Sequence, residues 1–216
     1  MFVLDYVLSP DDVQYLTRLQ FPDKTVGTIR TLTIPEGVTV IGPRAFEDAE
    51  LLTNITIPDG VTKIGKRAFC FCANLLSVEL PETLEEIDDE AFMDNYLLHD
   101  IVFPKSLLRV NDRAFFECMS LTTVSLPGVR EVGADAFSHC RSLRKLRLNP
   151  YVIFLGSGAF SRNRRLVHFP ERWLKEPSAY ADYGRAFHDS TCAKPGLLAK
   201  YRFWSKRKKG DKIFMR

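Results

Sequence analysis

The residues of this chain best suited to covalent or metal chemistry are five cysteines and four histidines, and their spacing decides how much chemistry they offer. Cys72, Cys118 and Cys140 each stand three residues after a phenylalanine, in a column that Ala49, Asn95 and Asn163 also fill. A position that accepts Ala, Cys or Asn is a buried packing site, so these thiols read as structural. No CxxC pair or His cluster supplies the spacing that zinc requires. Cys118 and Cys140 are close enough in the pattern for an oxidising compartment to join them. Cys70 alternates with Cys72 and reads as the more exposed thiol, with no neighbouring base to activate it. His99, His139, His168 and His188 converge on nothing. His139 beside Cys140 has the residue types of a nucleophile dyad, but neighbours on an extended chain point to opposite sides. The reading is therefore of a non-enzyme, with no catalytic residue, no metal and no cofactor.

Charge is the second kind of chemistry on offer. The net charge of +3 over 216 residues conceals a division. Residues 194–216 carry nine Lys and Arg against one acid, Asp211, whereas residues 1–193 carry 21 basic and 26 acidic side chains. Glu79 to Asp100 holds nine acids and no Lys or Arg; Arg141 to Arg165 holds seven basic residues and no acid. Such a dipolar molecule steers charged partners. Glu85, Glu86, Asp88, Asp89 and Glu90 read as a solvated loop face, with divalent-cation binding as the second reading. The tail interleaves Lys200, Arg202, Lys206, Arg207, Lys208 and Lys209 with Phe203 and Trp204. Three readings fit it: contact with RNA or DNA phosphates with the aromatics stacking on bases, an anionic membrane surface, or a nuclear-import-like or solubilising run. No stretch approaches the roughly 18 apolar residues of a membrane span, and Met1-Phe2-Val3-Leu4-Asp5 lacks the pattern of a secretory signal. With an odd cysteine count and no disulfide framework, the expectation is an intracellular protein.

What must position these side chains is a repeat. Pro35, Pro58, Pro81, Pro104, Pro127 and Pro150 recur every 23 residues. The pairs Ala45-Phe46, Ala68-Phe69, Ala91-Phe92, Ala114-Phe115, Ala136-Phe137 and Ala159-Phe160 keep the step, apart from one residue lost before Ala136. Six residues after each Phe stand Leu52, Leu75, Leu98, Leu121, Leu143 and Leu166, and apolar residues follow at +3 and, in five units, at +5. That period-2 pattern, closed by a proline, predicts a short half-buried strand. Gly42, Gly65, Asp88, Asn111, Gly133 and Gly156 share a column of residues tolerant of positive φ, which predicts a turn there. The Ala-Phe pair after it predicts a short helical turn that carries the ring into the core. A unit this small cannot bury its apolar side alone, so units must stack with their strands in parallel.

The pattern LxxIxIPxxVxxIGxxAFxxC, which runs from Leu52 to Cys72, resembles the BspA-like leucine-rich repeat and covers about residues 29–169. The resemblance implies an α/β repeat solenoid, a right-handed leucine-rich-repeat superhelix with its short parallel strands on the concave face. The organisation read from it is an N-terminal cap over 1–28, six repeats over 29–170, a degenerate seventh repeat and C-terminal helical cap over 171–204, and a basic tail over 205–216. Ser9 and Pro10 have the types of a helix N-cap and first turn, and Val13, Leu16 and Leu19 share a helical face, so a capping helix is expected over 10–20.

Strand positions that face away from the core align across coils into two rows. One is Thr31, Asn54, Ser77, Asp100, Thr123 and Lys145; the other is Thr33, Thr56, Glu79, Val102, Ser125 and Arg147. The functional expectation is a protein-protein interaction scaffold, a monomer when alone, that binds through this face. A nucleic-acid-associated component anchored by the tail is the alternative.

Overall fold

The computed structural model describes residues 4–7, 15–16, 27, 29–167 and 186–187. The elements with described bounds are all short strands, and Ala186 is helical. In chain order these are β1 (Leu4–Val7), β2 (Tyr15–Leu16), β3 (Ile29–Thr33), β4 (Val40–Ile41), β5 (Asn54–Thr56), β6 (Lys63–Ile64) and β7 (Ser77–Glu79). There follow β8 (Glu86–Ile87), β9 (Asp100–Ile101), β10 (Arg109–Val110), β11 (Thr123–Leu126), β12 (Glu131–Val132), β13 (Lys145–Leu148) and β14 (Phe154–Leu155). Each coil contributes one strand to a main sheet and one to a second sheet, and all pairs are parallel. The main sheet runs β1-β3-β5-β7-β9, then resumes as β11-β13; the second runs unbroken from β2 through the even-numbered strands to β14. The 23-residue step is thus the ladder register itself: Asn54 lies opposite Ser77 and Ser77 opposite Asp100.

A third side of each coil carries the Ala-Phe pair. It is a run of tight turns rather than a helix, in which backbone N–H groups alternate between two uses. Arg44, Phe46 and Asp48 donate to the next coil at Lys66, Ala68 and Cys70, while Ala45, Glu47 and Ala49 donate back within their own turn. The alternation requires left-handed residues, and eleven non-glycine residues have φ between 53° and 63°, in two columns that begin at Arg44 and Asp48. Each costs on the order of 1 kcal/mol, and the hydrogen bonds between coils hold it there.

The glycine column behaves differently from the expectation. Gly42, Gly65, Gly133 and Gly156 are not among the residues of positive φ. A Cβ at Gly65 would meet the Ile41 carbonyl oxygen at 2.8 Å, and one at Gly133 or Gly156 would collide with the backbone of the preceding coil. Close approach of stacked backbones, not φ, selects glycine. Where the residue shortening falls, between Pro127 and Gly133, a Cβ at Gly128 would run into the Lys105 carbonyl. Asn149 compensates locally, donating from Nδ2 to Gly128 O at 3.0 Å and accepting from the Tyr151 N–H at 2.9 Å.

The core is one continuous column. Phe46, Phe69, Phe92, Phe115, Phe137 and Phe160 are fully buried and stacked, with centroids 5.0–5.4 Å apart. Phe187 extends the stack at 5.2 Å from Phe160, and Phe160 N–H donates to Ala186 O. The Ala186-Phe187 pair therefore serves as a seventh copy despite the insertion before it.

Beside the rings runs the column of Ala, Cys and Asn, and it has a polar duty. Cys72, Cys118 and Cys140 donate from Sγ to the carbonyls of Phe46, Phe92 and Phe115 at 3.2–3.3 Å. Asn95 and Asn163 donate from Nδ2 to Phe69 O and Phe137 O at 2.8 Å. A buried carbonyl needs a partner, and the next coil supplies it. At the N-terminal end, β1 pairs with β3 and β2 with β4. Tyr15–Leu16 is thus strand inside the span expected to be a capping helix, because both ladders continue where a helix would have ended them. Residues 171–185 and 188–204, expected as the C-terminal helical cap, lie outside the described residues.

Candidate functional site

Ladder register brings the two predicted rows onto the outward side of the main sheet. Asn54, Thr56, Glu79, Asp100, Thr123, Lys145 and Arg147 are exposed, and Ser77 and Ser125 are half-buried. Their side chains bond along the row from coil to coil: Ser77 Oγ donates to Asn54 Oδ1 at 2.7 Å, and Thr56 Oγ1 to Glu79 Oε2 at 2.9 Å. Thr123 stands opposite Lys145 and Ser125 opposite Arg147. Val102, 77% exposed, is the apolar member of the rows. It stands just after β9, where the main sheet is interrupted.

The four cysteines among the described residues are enclosed. Cys70, expected to be the more exposed, is as fully buried as Cys72, Cys118 and Cys140, and all four are free thiols. Burial pushes the Cys70 thiol up to about 12, against a smaller opposing pull from Arg67. Burial raises the other three thiols as well, so none of the four is a thiolate at neutral pH.

His139 does not meet Cys140. Its ring packs on Phe116 at 4.9 Å, Nδ1 lies 2.9 Å from Ser138 Oγ, and Nε2 accepts from Arg162 Nη1 at 3.2 Å. Cys140 turns inward to Phe115 O. Burial, then the Arg162 charge, lowers the His139 pKa. His99 is exposed, with its ring Nδ1 3.0 Å from the nearby Leu97 carbonyl. Among the described residues no three or more His, Cys, Asp or Glu are arranged to hold a metal, and no helix is long and apolar enough to cross a membrane.

The acidic run is engaged in cross-coil ion pairs rather than being a merely solvated face. Lys63 Nζ lies 3.0 Å from both Glu86 Oε1 and Asp88 Oδ2, Arg109 reaches Glu86 Oε2 at 2.9 Å, and Lys66 reaches Asp89 at 3.4 Å. Arg67 bridges Glu47 at 2.6 Å and Glu90 at 2.9 Å. Glu85 remains exposed. Burial pushes Glu86 and Asp88 up, but hydrogen bonds outweigh it and hold both carboxyls below the ordinary range. Glu86 receives them from Arg109 and Lys63; Asp88 from the Asp89 N–H, Lys63 and Asn111. Lys200, Arg202, Phe203, Trp204, Lys206, Arg207, Lys208 and Lys209, like His168, His188 and Cys192, lie outside the described residues.

Parallel ladders, a stacked core and an outward row of aligned side chains define a β-solenoid repeat protein. The family described as BspA type leucine rich repeat region matches residues 21–128 and 112–171 in six copies, and the chain belongs to it. No curated protein matches it. Among solved structures it is similar to a leucine rich cell surface protein of Faecalibacterium prausnitzii, with 30% identity over 61% of this chain and 43% of that one, at a TM-score of 0.53. The leucine rich repeat protein of T. pallidum matches at 27% identity over 76% of this chain and 85% of that one, with a TM-score of 0.56. One from Eubacterium ventriosum shares the fold at 23% identity, covering 66% of this chain and 39% of that one, with a TM-score of 0.60. The chain thus spans less than half the length of the Faecalibacterium and Eubacterium proteins.

Proposed function

We propose that this protein is a non-catalytic scaffold that binds a protein partner across the outward side of its main sheet. The observation that carries the reading is the alignment of Asn54, Ser77 and Asp100, and of Thr56 and Glu79, by ladder register into exposed polar rows. Short side chains lose little rotamer entropy on contact, and repeat solenoids use such extended surfaces for binding. The enclosed thiols and dispersed histidines support the absence of catalysis. Free thiols at Cys118 and Cys140, in adjacent coils, fit a reducing, intracellular compartment. The Faecalibacterium relative, a cell surface protein, makes surface display the outcome that fractionation of native cells would have to exclude.

Glu79→Lys with Asp100→Lys tests the interface. Both side chains are exposed, so circular dichroism should be unchanged while the proteins captured from nuclease-treated native lysate are lost. Retention of the same proteins by the double variant would move the interface elsewhere.

A further inference from the structure

Several charged side chains that meet across coils are paired with opposite charge: Lys63 with Glu86, Lys66 with Asp89, Arg67 with Glu90, Arg109 with Glu86. In the last two coils cations gather instead. Arg162 stands one 23-residue step from His139 and Arg164 one step from Arg141, so a cation is stacked on an imidazole and a cation on a cation. Together with Arg165 these residues line a cleft of about 320 Å³. The sequence from Arg141 to Arg165 contains no acid, and among the described residues Arg141, Arg162 and Arg165 form no salt bridge. The cleft is lined by four arginines and a histidine with no carboxylate among its lining residues, which suits it to an anion.

The cleft is also oriented. Arg162 donates to His139 Nε2, which makes that nitrogen the acceptor and leaves the ring proton on Nδ1, facing Ser138 Oγ. Ser138 Oγ in turn lies 2.7 Å from Ser161 Oγ, in the next coil. Phe116 backs the ring. The imidazole is thus a neutral support for the Arg162 guanidinium, and Glu117 and Asp135 are the acids within electrostatic reach of it. Guanidinium forks match the paired oxygens of a phosphate, and several converging forks favour a dianion over a single carboxylate.

We propose that the cleft of His139, Arg141, Arg162, Arg164 and Arg165 binds the phosphate group of a phosphate monoester or of free phosphate. The site is separate from the outward face of the main sheet and does not depend on it. Calorimetric titration of the full chain with inorganic phosphate, and with a phosphoserine peptide beside its unphosphorylated form, tests it.

Saturable one-to-one binding is expected. Arg141→Gln with Arg162→Gln should weaken it by about tenfold or more, since each charge-assisted hydrogen bond is worth roughly that factor. Lys145→Gln with Arg147→Gln, which removes the same charge from the main-sheet row, should leave it within about twofold. Tighter binding of the phosphopeptide than of phosphate would assign the ligand to a phosphorylated protein, and the reverse to a free phosphate. Absence of saturable binding by either probe, or equal weakening by the two double variants, would overturn the proposal. Should the cleft variant fail to fold, Arg165→Gln carries the same expectation. Loss of protein capture by the Glu79 and Asp100 variant is read separately, so the two proposals fail independently.

Discussion

Replacing Asn95 with cysteine should make the protein more stable. Asn95 is fully buried; its Nδ2 donates to Phe69 O at 2.8 Å, while its Oδ1 is enclosed without a hydrogen-bond partner. Cysteine does the same donor's work at three other coils with no acceptor left over. Burying an unsatisfied acceptor costs about 1–3 kcal/mol, and a typical hydrogen bond contributes about 0.5–1.5 kcal/mol. Exchanging an N–H for a weaker S–H donor loses part of the smaller quantity and removes the whole of the larger one. The net expectation is a gain of about 1 kcal/mol. Urea unfolding should show it as a raised midpoint at unchanged slope. Asn95→Ala, which leaves Phe69 O without the donor, should fall below the cysteine variant. A loss of more than about 1 kcal/mol in Asn95→Cys would refute the reasoning, because it would mean that Oδ1 has a partner and that the column is not a row of donors.

Phe92→Ala opens the middle of the ring stack, between Phe69 and Phe115 at 5.1 Å on either side; it should cost about 3–5 kcal/mol in urea unfolding, against less than about 0.5 for Val102→Ala on the surface. Arg67→Ala removes the 2.6 Å bridge to the buried carboxylate of Glu47, which retains Arg44 at 3.7 Å, and should cost about 1.5–3 kcal/mol by the same assay. Burial, with Glu117 and Glu90 adding to it, raises the Asp94 carboxyl pKa despite the Tyr96 hydroxyl bond and the Arg67 charge. Its contribution is therefore favourable only at low pH and is lost as pH rises through the folded value, so Asp94→Asn should stabilise the protein at pH 7 and lose that advantage on acidification. Glu86 and Asp88 carry the opposite sign: their contribution is present above the ordinary carboxylate range and is lost as pH falls through their lowered folded values. Acid unfolding of Lys63→Met, compared with the parent, should show a smaller loss of stability over that interval.

The period, the ring column and the outward rows were legible because each repeats at one fixed offset, and any residue type conserved by that offset names its own environment. Other features are hidden by degeneracy. Glycine is demanded both by positive φ and by close backbone approach, and Gly65 and Gly133 answer to the second, which no single coil reveals. Ala, Cys and Asn look alike as small buried residues; only the carbonyls of the preceding coils show that Cys118 and Asn95 both act as donors. Ser9, Pro10 and the apolar residues to Leu19 fit a helix by local rules, yet β2 lies among them because β4 offers a ladder edge that a local pattern cannot see. The cross-coil ion pairs were present in the sequence at a 23-residue offset, as Lys63, Glu86 and Arg109 demonstrate. The Arg141–Arg165 run pointed to the cationic cleft, although its stacking emerges only when the coils are laid over one another.

The second sheet places Lys63, Glu86, Arg109 and Glu131 in direct succession, and this alternation imposes a parity on how the molecule can change length. Excising one coil, residues 64–86, would seat Lys63 against Arg109, cation on cation. Excising two, residues 64–109, would seat Lys63 against Glu131 and restore the attraction. With each such neighbour worth about 0.2–1 kcal/mol in either direction, unequal crossing-over within the gene would be filtered by whether the number of coils lost or gained is even, even though every coil shares the same hydrophobic core.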